Sequence, residues 1–166
     1  MMPVVRILGL DPGLRNAGWG IIETQGNRLK HVAHGVVHSD AAFPLSRRLH
    51  QIYDGLQHII TNFLPDEAAV EETFVNANAA SALKLGMARG VVLLAPAIHS
   101  LVIGEYSANK VKKSVVGVGH ADKTQVAAMV QRLLPAAGSV SADAADALAV
   151  AICHAHHRQM NARFGA

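Results

Sequence analysis

Residues 4–10, Val-Val-Arg-Ile-Leu-Gly-Leu, form a nearly continuous apolar run that stops at an acid, Asp11, and a Pro-Gly pair. A run this short without strict alternation suits a β-strand covered on both faces. A chain that opens this way must supply helices to both sides of a sheet. Gly13–Gly18 reads as a turn, Trp19–Thr24 as a second strand, and Gln25-Gly26-Asn27 as a hairpin turn into a third, Leu29–His38. From Pro44 the period changes. Leu45, Leu49, Ile52, Leu56, Ile59, Ile60 and Phe63 recur mostly at three- and four-residue steps, and Pro65-Asp66 ends that helix.

Glu67–Glu72 reads as a fourth strand, Asn78–Leu94 as an Ala-rich helix and Leu101–Tyr106 as a fifth strand. Three helices follow: Ala108–Val115 behind a Ser107 cap, Asp122–Leu134, and a last one from Ser141 to about Gln159. The expectation is an α/β fold over residues 1–166, one domain with a five-stranded mixed sheet and helices on both faces. The apolar share is 51% and the aromatic share 4%, so Ala, Val, Leu and Ile must build the core.

Single Cys153 excludes an internal disulfide and fits a reducing compartment; a small apolar role on a buried helix face suits it best. The first ten residues do not read as a signal peptide. Val91–Ile103, interrupted by Pro96 and His99, falls short of the roughly 18–20 residues a membrane span needs. A soluble cytoplasmic protein is expected.

Four acids stand where a carboxylate is costly. Asp11 and Glu71 end predicted central strands, and parallel neighbours about 4.8 Å apart would bring both to one sheet edge. Asp143 and Asp146 share one face of an otherwise uncharged helical stretch, where like charges repel unless a cation lies between them. Each has a plainer alternative: a turn former for Asp11, a polar strand end for Glu71, a helix-dipole partner for Asp143. Asp146 fits the last of these poorly. Oxygen-only donors select Mg²⁺ or Mn²⁺ over zinc, and four carboxylates suit two ions roughly 4 Å apart that hydrolyse a phosphodiester. Fifteen Lys and Arg against twelve Asp and Glu leave a net charge of +3, and committing four acids to metal makes the remaining surface basic, as a polyanion requires.

Ile7-Leu-Gly-Leu-Asp-Pro-Gly13, Val70-Glu-Glu-Thr-Phe74, Ala80-Ser-Ala-Leu-Lys-Leu-Gly-Met-Ala-Arg-Gly90, Val111-Lys-Lys-Ser-Val-Val-Gly-Val-Gly119 and Asp143-Ala-Ala-Asp-Ala-Leu-Ala149 occur in this order. Together they resemble the motifs of the RuvC family, bacterial crossover-junction endodeoxyribonucleases, over about residues 5–157. The resemblance implies a ribonuclease H-like fold, a homodimer and Mg²⁺-dependent resolution of Holliday junctions by paired symmetric nicks. Metal-activated water would leave 5′-phosphate and 3′-hydroxyl ends, in homologous recombination and DNA repair. It further implies that Asp11, Glu71, Asp143 and Asp146 are the catalytic metal ligands, and that RuvA–RuvB is the branch-migration partner. Phe74 would stack on an unpaired base, and Lys112 and Lys123 would assist DNA binding and cleavage, Lys123 at the scissile phosphate.

Other residues fit that frame on their own chemistry. Lys84 and Arg89 could reach backbone phosphates near the dimer axis, and Gly86 and Gly90, one turn apart, could admit a partner helix or simply pack on the sheet. Lys112, Lys113 and the glycine loop after them suit phosphate contact, although a charge run is often just a solvated face. Arg15, in the turn after Asp11, could support the same chemistry.

His154 and His157 have the spacing of a metal pair, but lie about 12 Å beyond Asp146 along the helix, too far to join the acids. Two departures from the family concern DNA grip alone: no basic residue stands near Ala77, and no long basic tail follows. An actin-like nucleotide-binding protein would need a second lobe, for which 166 residues leave no room. A junction-binding module without catalysis would not need the full carboxylate set.

Overall fold

The structure, a computed structural model, describes residues 2–72 and 78–164. Strand β1 (Val5–Asp11) pairs antiparallel with β2 (Asn16–Gln25), which pairs antiparallel with β3 (Arg28–His38). Helix α1 (Leu45–Phe63) leads into β4 (Glu67–Glu72), then α2 (Ala79–Ile98) into β5 (Val102–Ser107). Helices α3 (Ala108–Val116), α4 (Lys123–Leu133) and α5 (Ala142–Phe164) close the chain. The sheet order is β3-β2-β1-β4-β5, with β4 parallel to both β1 and β5. The expected mixed sheet is present.

Its two faces explain why β1 lacks clear alternation. Leu8 and Leu10 point into a core with Ile52, Leu56 and Ile60 of α1 and Val92 of α2. Ile7 points into the opposite core with Leu148 and Ile152 of α5 and Val126 and Val130 of α4. Both faces are dry, so both parities of the strand are apolar.

Local chemistry sets the helix starts. Asn78 accepts from the Ala80 and Ser81 amides, Ser107 from Lys110, and Asp122 forms a reciprocal capping box with Gln125. Two boundaries differ from expectation. Strand β2 begins at Asn16, so the turn after Asp11 is tighter than Gly13–Gly18. Helix α2 runs past Leu94 to Ile98 with Pro96 inside it. Proline there falls in the last turn, where its missing N–H removes a single bond from the helix.

Among the described residues α2 has the length and apolar composition to cross a membrane, a stretch starting well before Val91. It buries Ala88, Val92, Ala95 and Pro96, but leaves Leu83, Met87, Leu94 and Ile98 exposed. Those four, with Gly90, recur at near-helical spacing and form one apolar stripe.

Candidate active site

The carboxyl edge of the sheet gathers the acids. Leu10 is paired in register with Val70, so Asp11 and Glu71 follow as parallel neighbours on β1 and β4. The second pair arrives on α5, which crosses β1 and β2 almost without separation. A Cβ on Gly9 would collide with the Ala147 carbonyl oxygen, and one on Gly18 with that of Asp143. Asp11 is itself in register with Gly18, so the missing side chain at residue 18 lets the first turn of α5 descend beside Asp11. Alanines along α5 serve the same end, with Ala144, Ala147, Ala151 and Ala155 buried.

All four acids line one cavity of about 240 Å³, together with Lys112, Lys123, Ala108, Val111, Val126 and Ala149. Lys112 comes from α3 and Lys123 from the first position of α4; Lys123 Nζ stands 3.5 Å from Asp146 Oδ2. The apolar walls lower the local dielectric and raise the cost of every negative charge. Burial, then the carboxylates of Asp146, Glu71 and Asp143, push Asp11 up to about 8. Burial and Asp146 raise Glu71, and burial raises Asp146 against the pull of Lys123. Asp146 in turn holds the Lys123 ammonium above its ordinary value.

Such crowding is unfavourable for the protein alone, and a divalent cation relieves it. Among the described residues, no three acids, histidines or cysteines are already drawn in to the spacing of a preformed cage. The donor set, carboxylate oxygen without His or Cys, fits a hard cation such as Mg²⁺.

Other expected site residues lie further out. Arg15 is exposed in the turn after Asp11, Lys113 is exposed on α3, and Lys84 is exposed on α2. Arg89 is engaged: its Nη2 donates to Glu105 Oε1 at 2.6 Å, a partner across on β5 that sequence distance concealed. Phe74, with Ala77 in the same stretch, lies outside the described residues.

His154 and His157 do not form a metal pair. His154 Nε2 bonds Glu67 Oε2 at 2.6 Å and its Nδ1 meets the Tyr106 hydroxyl, while His157 Nδ1 donates to the Cys153 carbonyl oxygen. Arg158 completes that cluster, with Nε donating to both Glu67 oxygens. Glu67 begins β4 and Glu71 lies near its end, so this network ties α5 to the sheet away from the acids. Cys153 is buried, and burial pushes its thiol up to about 11, as an inert core residue.

Comparison with known proteins gives a consistent answer. The family model described as crossover junction endodeoxyribonuclease RuvC matches residues 7–154. A crossover junction endodeoxyribonuclease RuvC from Paramagnetospirillum magneticum is 65% identical over 154 residues, covering 93% of each chain. Among solved structures, T. thermophilus RuvC in complex with Holliday junction substrate is 31% identical, with a TM-score of 0.88 over 95% of this chain and 96% of that one. The yeast mitochondrial Holliday junction resolvase Ydc2 shares the fold at 12% identity, with a TM-score of 0.65 over 99% of this chain and 88% of that one.

Proposed function

The chain belongs to the RuvC family of crossover junction endodeoxyribonucleases, and from that premise we propose that Asp11, Glu71, Asp143 and Asp146 hold the divalent ions with which it nicks Holliday junctions. Membership makes the chain a ribonuclease H-like, metal-dependent endonuclease. The observation that carries the site assignment is the placement of four carboxylates from β1, β4 and α5 around one cavity beside a lysine.

Mg²⁺ is the proposed ion, two per site, because four carboxylates exceed what one Mg²⁺ takes from protein. Bound there, the ions supply Lewis-acid charge to the scissile phosphate and to the attacking water. The residues of the chain do the rest. Asp11 and Glu71, fixed by strand register, set one side of the ion position; Asp143 and Asp146, fixed by the close α5 contact, set the other. Val111, Val126 and Ala149 restrict water on the inner wall. Lys123 and Lys112 present ammonium groups to the same cavity, where negative charge builds on the phosphate in the transition state. The products are a 5′-phosphate and a 3′-hydroxyl.

A four-way junction has two-fold symmetry and resolution needs two matched nicks, so a C2 homodimer is the assembly we propose. The α2 stripe of Leu83, Met87, Leu94 and Ile98 is its interface, with Gly86 and Gly90 facing open space where a partner helix can approach. Lys84, Lys113 and Arg15 are proposed phosphate contacts and Phe74 a base-stacking residue. Arg89 contributes only if phosphate displaces Glu105. Family membership is likewise the ground for proposing action in the cytoplasm as one domain, with RuvA–RuvB migrating the branch point.

The deciding experiment offers purified protein and Mg²⁺ a mobile synthetic four-way junction. Symmetric nicks are expected, with Asp11→Asn binding the junction but leaving it uncut. Cleavage that survives Asp11→Asn removes the site assignment, and equal cutting of linear duplex removes the selectivity.

A further inference from the structure

Three arginines stand beside the catalytic edge. Arg6, Arg89 and Arg158 each hold a carboxylate, those of Glu23, Glu105 and Glu67. Among the described residues Arg15, Arg47 and Arg48 are in no ion pair. Helix α1 carries Arg47 and Arg48 at its start and has no acidic residue in its first turn, so nothing there neutralises them. Of the acids flanking them in sequence, Asp40 accepts from the Ala42 amide within its own turn and Asp54 faces His58.

These arginines are built into one unit. Arg48 Nε donates to Ser39 Oγ at 3.1 Å. Ser39 Oγ donates to the Leu14 carbonyl, and the Ser39 amide donates to the Arg15 carbonyl at 3.0 Å. Ser39 thus joins the start of α1 to the turn that follows Asp11. Both terminal nitrogens of Arg48 are left without a bond among the described residues. The Arg47 guanidinium lies 4.0 Å from the centre of the Phe43 ring, which steadies a side chain otherwise exposed.

We propose that Arg15, Arg47 and Arg48 form a phosphate-contact ridge that carries one duplex arm of the junction past the active site. Helix α1 packs on the sheet face opposite α3 and α4, which carry Lys112 and Lys123. Asp11 lies at the sheet edge between the two groups, so a strand entering the cavity has cations on both sides. Guanidinium forks match phosphate oxygens better than ammonium groups do, and a half-anchored Arg48 loses little freedom on binding. Its contacts fall on backbone phosphates, which carry no sequence information, so it serves every sequence alike. This inference rests on the nuclease reading above.

The test measures junction affinity by fluorescence anisotropy without divalent ions, across about 50–200 mM salt. Arg15→Gln and Arg47→Gln are each expected to weaken binding about fivefold at 0.1 M salt and to flatten the slope of log K against log salt by about 1. Arg48→Lys, which keeps the charge and loses the Ser39 bond, should fall between wild type and Arg47→Gln. If Arg48→Lys melts early, the two exposed variants decide alone. Unchanged affinity and slope in both exposed variants overturns the ridge, as does a loss confined to particular arm sequences. A wild type that binds junctions but does not nick them with Mg²⁺ removes the nuclease reading and leaves the ridge standing.

Discussion

Lys123 Nζ rests 3.5 Å from Asp146 Oδ2, with the lysine side chain 83% exposed and the aspartate 22%. That separation is at the outer limit of a hydrogen bond, so the ammonium is free to move. It partly offsets the crowded acids in the metal-free protein, and it can turn to a phosphate once cations take over that task. Lys123→Gln should therefore slow single-turnover nicking by about 10²-fold, while junction affinity changes by less than tenfold. Equal losses in rate and affinity would reduce Lys123 to an ordinary backbone contact.

Asp11 makes the metal-free fold pH-sensitive in an unusual direction. Its carboxyl goes from 3.8 to about 8 on folding, so the native state holds a proton that the unfolded chain has released. Stability then falls as pH rises between those values, because the unfolded state binds fewer protons there. Asp11→Asn removes the penalty and should raise the melting temperature at pH 8 without metal by about 2–8 °C. Near pH 4 the two proteins should melt together. A variant that melts below wild type at pH 8 would show that Asp11 is paired by something that relieves its charge.

If Asp11 holds an ion as proposed, binding displaces the same proton. Apparent Mg²⁺ or Mn²⁺ affinity should rise with pH up to about 8 and level off above it, following Asp11. The rise is about tenfold per pH unit where one proton leaves per ion bound. Calorimetry in two buffers of different ionisation heat reads the proton count directly. Affinity that is flat with pH would mean the ions sit away from Asp11.

Much of this was visible in the sequence, and the reason is local. Asp11 follows an apolar strand and Glu71 ends another, so parallel pairing of β1 and β4 was enough to bring them together. Asp143 and Asp146 showed their shared face by spacing alone. Their distance from Asp11 was not legible, because it depends on how closely α5 meets β1 and β2, set by Gly9 and Gly18 more than a hundred residues away. Arg89 looked free for the same reason: Glu105 becomes its partner only when α2 lies along β5. Glu67, His154 and Arg158 were equally hidden, being partners across the fold. Helix α2 ran beyond the expected end with Ala95 and Pro96 packed into the core, which offsets the helix bond that the proline removes.

The exposed α2 stripe allows a sharper test of assembly than simple truncation. Among the described residues nothing lies within 4 Å of a Cβ at Gly86 or Gly90, so Gly86→Ala should stabilise α2 of the separated protomer by about 0.5–1 kcal/mol. Leu94→Glu places a charge on the stripe, and sedimentation should show dimer association weakened by about tenfold or more. Paired nicking should then give way to single nicks. A Leu94→Glu protein that remains dimeric locates the interface elsewhere.

Gly18 is a demanding position in the site, although it carries no functional group. A methyl there meets the Asp143 carbonyl oxygen and must push the first turn of α5 outward, moving Asp143 and Asp146 away from Asp11. Overpacking of this kind costs about 1–3 kcal/mol, and a misplacement near 1 Å costs about 10²-fold in rate. Gly18→Ala should therefore melt earlier and nick about 10²-fold more slowly at saturating Mg²⁺, with weakened ion binding. If Gly18→Ala nicks and binds metal like wild type, α5 has room to yield and its close approach does not set the geometry of the acids.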